Sequence, residues 1–450
     1  MTLVMSPFQQ SRAAGRDTLA PMCDSVVATG SHTKSGLTLF GKNSDRKAGE
    51  CQPFVRFAEA HHTPGNPLRC THISIPQVSE TYRIMGHSPW WVWGFEHGVN
   101  EHGLAVGNQS VFSLQAVEER PGLIGMDLVR LALERSRDRS EALECITSLL
   151  AAHGQGGAGF APDGAGYHNS FNISDPHGAI FLETSGRHWA AREVALDGLS
   201  NHICTGSDWD RCSKDLESYA RGEGFWSEPG PVHLERALRN PHVPARLSDG
   251  RLRRSRELLH HSKGSLEVAD VQRLLRDHGD GCSTPPAGAT VEDERFFTIC
   301  VHNDPPGPTT ASMVALLPKD LEQPWPVWIS FAVPCSGVFL PVYLDGTLPA
   351  AMTRGTARSE DSGDSLWWKF RELERAAAKK LERNVPLLRD SWKPFEESLE
   401  RERKRVESEA RALRSEGNAR GASLRLTSFM EETVARAIQS VGELALKCSG

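Results

Sequence analysis

Two β-rich runs, DSVVATGSH and GLTLFGKN, flank Thr33-Lys34-Ser35-Gly36 and begin directly after a cysteine at position 23. Dense β-branched and apolar residues on both sides of a glycine-containing turn predict a β-hairpin. The hairpin starts at Met22-Cys23, behind a first segment of mixed polarity that lacks the apolar core of a secretory signal. This placement constrains the chemistry as well as the fold, because a cysteine that opens a strand can also open a chain.

A cysteine with a free amino group carries its own base. The α-amine has a pKa of about 7.7–8, so near neutral pH a useful fraction is unprotonated beside the thiol. That is the N-terminal-nucleophile way of activating a side chain. Translation from Met22 with methionine removal would expose Cys23, and so would cleavage of the Met22–Cys23 bond by the cysteine itself. The plainer reading is a buried cysteine, one of ten. The second run ends in GKNSDR, which returns Lys42, Asn43, Asp45 and Arg46 towards Cys23. A carboxylate such as Asp45 can accept from the amine, and a cation such as Lys42 or Arg46 lowers a thiol pKa.

Further strands are expected at 71–76, 103–111, 169–175, 178–184, 312–318 and 326–333, punctuated by Gly, Pro, Asn and Asp. Apolar spacing predicts helices over 125–136 and 140–154, the second opened by a Ser cap and closed by Gly154. Strand groups around a helical pair argue for an α+β or layered α/β domain rather than a βαβ alternation. Residues 215–295 are more polar, and the run RLRRSRELLHHSKG reads as a solvated helix face. After residue 353, TRGTARSEDSGDS marks a boundary. A helix capped by Asp364 and stopped before Pro386 should follow, then a second from Pro394 to about Gly417. Three segments result: a leader or mis-assigned start at 1–22, a main domain at 23–353 and a helical extension at 354–450. The extension could build a homo-oligomer as a coiled coil. Its apolar stripe is short and interrupted at Glu402, which favours packing back on the body.

The net charge of −6 gives no basic stripe for nucleic acid, and no apolar run approaches the length of a membrane span. The ten cysteines form no C-x-x-C, and His61-His62 has no partner at zinc-finger spacing, so neither a structural metal nor a cofactor is expected. Scattered cysteines without a secretory signal suggest a reducing cytoplasm. HGQGGAG lacks the Lys-Ser/Thr ending of a phosphate loop and reads as a helix stop. His302 invites a Cys–His dyad, but a solvated or core histidine is the simpler expectation. Trp90, Trp91 and Trp93 read as core, with a substrate subsite at Trp93 as the functional alternative.

Cys-Asp followed by GKNSDR, then WGFEHGVNEHGLAVGNQS (93–110), HNSFNISD (168–175), SNHICTGSD (200–208), TICVHNDPPGPTTASMVALL (298–317) and PVWISFAVPCSGVFLPVY (326–343), resembles the secernin and C69 dipeptidase family in order. The SLWW that opens the tail fits as well. The resemblance implies an N-terminal-nucleophile hydrolase fold, a four-layer αββα sandwich, with Cys23 as nucleophile and its α-amine as base. It implies Lys42 and Asp45 as the basic residue and the amine-holding aspartate, although arginine is usual at the first position. It also implies Asn108 and Asn201 beside the oxyanion; Asn169, a polar group at a strand end, is a further substrate-binding candidate. The expected activity is hydrolysis of small peptide or amide substrates, dipeptides first. An acyl-amide amidase or acyltransferase and a non-catalytic binding protein are the alternatives.

Overall fold

In the computed structural model, which describes residues 22–162, 164–286, 289–303, 307–357 and 364–450, the expected hairpin forms from β1 (Cys23–Ala28) and β2 (Thr38–Asp45). Its antiparallel register sets Cys23 opposite Ser44, Ser25 opposite Lys42 and Val27 opposite Phe40. The link turns through Gly30 at φ 48° and Gly36 at φ 71°, left-handed conformations that strain any residue with a Cβ.

The remaining strands are β3 (Phe54–Phe57), β4 (Ala60–His61), β5 (Pro67–Arg69), β6 (Ser74–Pro76), β7 (Glu80–Thr81), β8 (Ile84–His87), β9 (His97–Asn100), β10 (Ala105–Val111), β11 (His168–Asp175), β12 (Gly178–Ser185), β13 (His188–Val194), β14 (Leu196–Leu199), β15 (Arg211–Cys212), β16 (Thr309–Leu317), β17 (Pro326–Phe331) and β18 (Leu340–Tyr343). The helices are α1 (Gly125–Arg135), α2 (Arg139–His153), α3 (Leu216–Gly222), α4 (Leu234–Leu238), α5 (Asp249–His261), α6 (Val268–Leu274), α7 (Ala350–Thr353), α8 (Leu366–Ala378), α9 (Leu381–Ser415) and α10 (Ala419–Ser449). The two large sheets run β14-β1-β2-β16-β17-β18 and β15-β13-β12-β11-β10-β9-β8-β3, and β4-β7 and β5-β6 form two-stranded ribbons.

Strand alternation sorts the side chains into layers. Val26, Ala28, Leu39 and Val314 of the first sheet bury against Leu259 of α5 and Val271 and Leu274 of α6. Gly41 permits this approach, since a Cβ there would sit 2.4 Å from Val271 Cγ1. Val106, Phe171, Ile173 and Leu182 of the second sheet bury against α1 and α2 through Leu128, Ala132, Leu143 and Ile146. The inner faces meet through Phe40, Met85, Val99, Ala105, Met313 and Phe331. The result is the expected four-layer αββα sandwich.

The helical extension joins the same inner core, with Trp367, Phe370, Trp392, Leu426 and Phe429 in contact with it. Trp367 Nε1 donates to Thr310 O at 2.8 Å, and Trp392 Nε1 donates to Ser336 O at 2.9 Å. Leu399, Val406 and Ala410 of the expected stripe are buried within the chain. The interruption at Glu402 is satisfied by Arg436 of α10 at 2.6 Å.

Several local expectations change. Pro386 does not end a helix, because α9 runs through both Pro386 and Pro394. Each interior proline costs about 3 kcal/mol or more, and the buried face from Val385 to Ala410 offsets it. Ser365 rather than Asp364 caps α8, and Asp138 rather than Ser140 caps α2 by accepting from the Ser140 and Glu141 N–H groups. Only Ser74–Pro76 of the strand expected over 71–76 is extended. The leader at 1–21 and part of the boundary, at 358–363, lie outside the described residues. Trp392→Ala should lower stability by roughly 3–5 kcal/mol, the usual range for a buried aromatic, as measured by denaturant unfolding.

Candidate active site

The hairpin register divides its polar residues between two faces. Cys23, Ser25, Lys42 and Ser44 share the face turned to the second sheet, and Asp24, Asn43 and Asp45 share the face turned to α5 and α6. On the second face, Asn43 Nδ2 donates to Leu275 O and Ile299 O, both at 2.9 Å. Cys23 is 4% exposed. Its backbone N–H donates to Asn201 Oδ1 at 2.8 Å, so the nitrogen that precedes the thiol is already oriented. Asn201 is held in turn, donating to Ser110 O at 2.9 Å and Ser110 Oγ at 3.0 Å.

Arg251 ties this arrangement together. Its Nη2 donates to Asn201 Oδ1 at 2.7 Å, its Nη1 to Cys23 O at 3.4 Å, and the same nitrogen pairs with the Asp24 carboxylate. Nε and Nη2 also reach Leu247 O, at 3.0 and 2.8 Å. Asp45 stands beside the group. Its N–H donates to Met22 O at 3.1 Å, its Oδ1 accepts from Thr309 Oγ1 at 2.7 Å, and its Oδ2 lies 3.9 Å from Arg251 Nη1. That Oδ2 is buried with no hydrogen-bond partner. Burial pushes the Asp45 carboxyl up to about 8, against the pull of Arg251.

On the thiol side lies a buried charge chain. Lys42 Nζ meets Glu96 Oε2 at 3.3 Å, and Arg46 Nη1 meets Glu96 Oε1 at 2.8 Å. Arg46 Nη2 continues to Glu50 Oε1 at 2.5 Å, which also accepts from Trp91 Nε1 at 3.0 Å. Two cations face two carboxylates, so the chain closes electrically within the core. Lys42 crosses β10 over Gly107, where a Cβ would come within 2.6 Å of its Cδ. Beside it, His87 Nδ1 and His97 Nε2 share a 2.8 Å hydrogen bond, and burial next to Lys42 holds His87 down to about 3. Burial pushes the Cys23 thiol up to about 12, opposed first by Lys42. With Met22 attached, the thiol is therefore protonated at neutral pH.

Cys23, Lys42, Asp45 and Asn201 thus come together, with Lys42 and Asp45 on opposite faces of β2. Asn108 turns the other way, under α1, where its Nδ2 donates to Asn169 Oδ1 at 3.0 Å and Met126 Sδ at 3.5 Å. Asn169 passes the network on to Gln155 Oε1 at 3.1 Å. Both asparagines therefore brace β10 and β11 beneath the helix. Trp93 is stacked on the Arg130 guanidinium, 3.9 Å from its ring centroid, and packs against the α1–α2 core. Trp91 is the tryptophan that reaches the charge chain. His302 contacts Cys335 and Cys300, at 3.1 and 3.7 Å, rather than Cys23.

Arg251 and Glu96 are the groups that sequence reasoning missed. Arg251 opens the basic run read as a solvated face, yet it is 1% exposed, because residue 251 lies on the inner side of α5. The helical period of that run, with Leu252, Ser255 and Leu259 also buried, is the signal that could have separated it from its exposed neighbours. A surface cleft of about 500 Å³ lies beyond α5, lined by residues including His202, Arg239 and Arg256, and does not include Cys23.

No family model matches the chain. Among solved structures, a point mutant of conjugated bile acid hydrolase from Clostridium perfringens aligns over 69% of this chain and 89% of its own, at 13% identity and a TM-score of 0.39. Penicillin V acylase from Agrobacterium tumefaciens aligns over 71% and 86%, at 14% identity and a TM-score of 0.41. The Caenorhabditis elegans ortholog of N-acylethanolamine-hydrolyzing acid amidase covers 65% and 92%, at 10% identity and a TM-score of 0.29. All three likenesses are remote.

Arg251→Met should destabilise the fold by about 3–5 kcal/mol, because it strands Asp24 as a buried unpaired charge. Adding Asp24→Asn should recover part of that loss in the same denaturation assay. In protein that retains Met22, Cys23 should alkylate far more slowly than exposed Cys282 at pH 7.5. Its rate should rise about tenfold per pH unit well above neutrality, as followed by mass spectrometry of the labelled peptides.

Proposed function

We propose that this chain is a cysteine hydrolase of the N-terminal-nucleophile type that cleaves small amides, with dipeptides as its substrate class. One observation carries the reading: the Cys23 nitrogen is held by Asn201 Oδ1 at 2.8 Å, on the strand whose thiol lies on the Lys42 side. A nitrogen fixed next to its own thiol needs only to become an amine to act as that thiol's base.

Two routes to that state remain, removal of an initiating Met22 and self-cleavage. For the second, the Met22 carbonyl already accepts from the Asp45 N–H, which polarises it for attack by the Cys23 thiol. The acyl group would pass from nitrogen to sulfur, freeing the amine, and water would then hydrolyse the thioester. The freed amine would arise beside Asp45, whose spare Oδ2 gives it an acceptor.

In turnover the Cys23 sulfur attacks the scissile carbonyl carbon, and its proton passes to the α-amine. The tetrahedral intermediate collapses, the carbon–nitrogen bond breaks, and the leaving amine takes that proton. Water activated by the same amine cleaves the thioester and restores the thiol. Asn201 holds the α-amine through its Oδ1, and it can serve the oxyanion only if its Nδ2 leaves Ser110, while Asn108 is engaged beneath α1. Lys42 favours the thiolate, and Asp45 orients the amine. The charged chain Lys42–Glu96–Arg46 beside the thiol suits a short polar substrate better than a fatty acyl chain. The amidase or acyltransferase reading would need an apolar subsite in its place.

Intact mass of the purified protein should show residues 1–22 absent, and a panel of dipeptides should be hydrolysed. Cys23→Ala, produced to start at residue 23, should keep the fold and lose at least about a thousand-fold in rate. An unchanged rate in that variant would overturn the mechanism. Turnover of acyl amides without dipeptides would move the substrate class.

A further inference from the structure

Away from Cys23, four soft or borderline donors converge between α6, the segment entering β16 and the loop after β17. They are His278, Cys300, His302 and Cys335, and their nearest donor atoms all lie within 4.8 Å of one another. His278, Cys300 and Cys335 are buried to 2% exposure or less.

His302 Nε2 sits 3.1 Å from His278 Nε2, 3.1 Å from Cys335 Sγ and 3.7 Å from Cys300 Sγ. Hydrogen bonding cannot satisfy this arrangement. An imidazole nitrogen offers either one proton or one lone pair, and here three neighbours crowd the same nitrogen. A cation at the centre would use a lone pair from every donor at once.

The spacing also fits. Zn–N bonds of about 2.0–2.1 Å and Zn–S bonds of about 2.3 Å imply tetrahedral edges of roughly 3.3 Å between nitrogens and roughly 3.6 Å from nitrogen to sulfur. The observed separations fall on either side of these values. Charge fits as well: two thiolates and two neutral imidazoles around a dication sum to zero, which suits a buried place. Soft sulfur with imidazole at tetrahedral spacing selects zinc over the oxygen-seeking cations.

We propose that His278, Cys300, His302 and Cys335 bind one structural Zn²⁺. The four ligands close the tetrahedron, leaving no position for a reacting water. Sequence spacing conceals the site, because only Cys300 and His302 are near neighbours. The fold supplies the rest: the Cys300 N–H donates to Asp277 O at 3.0 Å, which brings the His278 loop alongside. Val333 and Val385 pack with Cys300 and Cys335, so the metal would also anchor the region where α9 meets the body. One residue beyond Cys300, the Val301 N–H donates to Thr309 Oγ1 at 3.1 Å, and that hydroxyl donates to Asp45 at 2.7 Å. The zinc would thereby steady the segment that positions Asp45.

The test uses the full chain, made without a polyhistidine tag and purified under reducing conditions without chelator. Elemental analysis should find about one zinc per chain, as expected of a closed four-ligand site. Metal-free protein loaded with Co²⁺ should show the intense visible bands of tetrahedral cobalt and a thiolate charge-transfer band. Cys300→Ser and Cys335→Ser should each lose most of the zinc, while Cys448→Ser keeps it. If those variants fail to fold, the cobalt spectrum of the unaltered chain decides the matter. Natively folded protein with no zinc and no cobalt spectrum would overturn the proposal. So would a Cys300–Cys335 disulfide in the peptide map of the natively folded protein as purified.

Discussion

A guanidinium removed from water must be met by acceptors on every side, and much of this site is arranged around one such group. Arg251 gathers Asp24, Asn201, the Cys23 carbonyl and the Leu247 carbonyl into a single cluster. Each link has a structural consequence. Asp24 fixes the start of β1, Asn201 fixes the segment after β14, and Leu247 fixes the entry to α5. The Cys23 nitrogen inherits its orientation from Asn201, which is held from one side by Arg251 and from the other by Ser110. Removing the charge would leave Asp24 desolvated and unpaired, so the cluster stands or falls together.

Across the strand, the thiol is governed by a competition. Burial disfavours the thiolate, and Lys42 favours it. The charge of Lys42 is itself shared with Glu96, which is shared with Arg46, so the cation's effect on sulfur depends on a chain that ends at Glu50 and Trp91. Neutral His87 and His97 add polarity there without adding charge. Such a chain crosses from β2 to the second sheet and locks the two sheets in register at the end where Cys23 lies.

Much of the fold was legible because its signals are local. The β1–β2 hairpin, β10, β11, β12 and the pair α1–α2 follow from alternation, helical period and turn residues within a few positions. The short strands β3, β8 and β9 carry too few residues to show a period, and they are strands because their neighbours supply hydrogen bonds. The prolines at 386 and 394 reversed a sound local rule, because the apolar face of α9 outweighs the two lost hydrogen bonds. The site divides in the same way. Cys23, Lys42 and Asp45 belong to one hairpin, so their proximity was readable from register. Asn108 was expected with Asn201 beside the oxyanion and Asn169 at the substrate, but strand parity turns Asn108 and Asn169 to the helix side.

The sequence by itself determined the hairpin, the cysteine at its head and the two charged residues that return beside it, because pairing between adjacent strands depends on short-range pattern. Only the tertiary structure decided that Asn201, 178 residues away, would hold the cysteine nitrogen, and that Arg251 would leave the solvent to bridge it to Asp24. It alone decided that two cysteines and two histidines from three segments would bring their donor atoms within 4.8 Å of one another. Those choices depend on how helices and loops pack over a finished sheet. No interval along the chain encodes that packing.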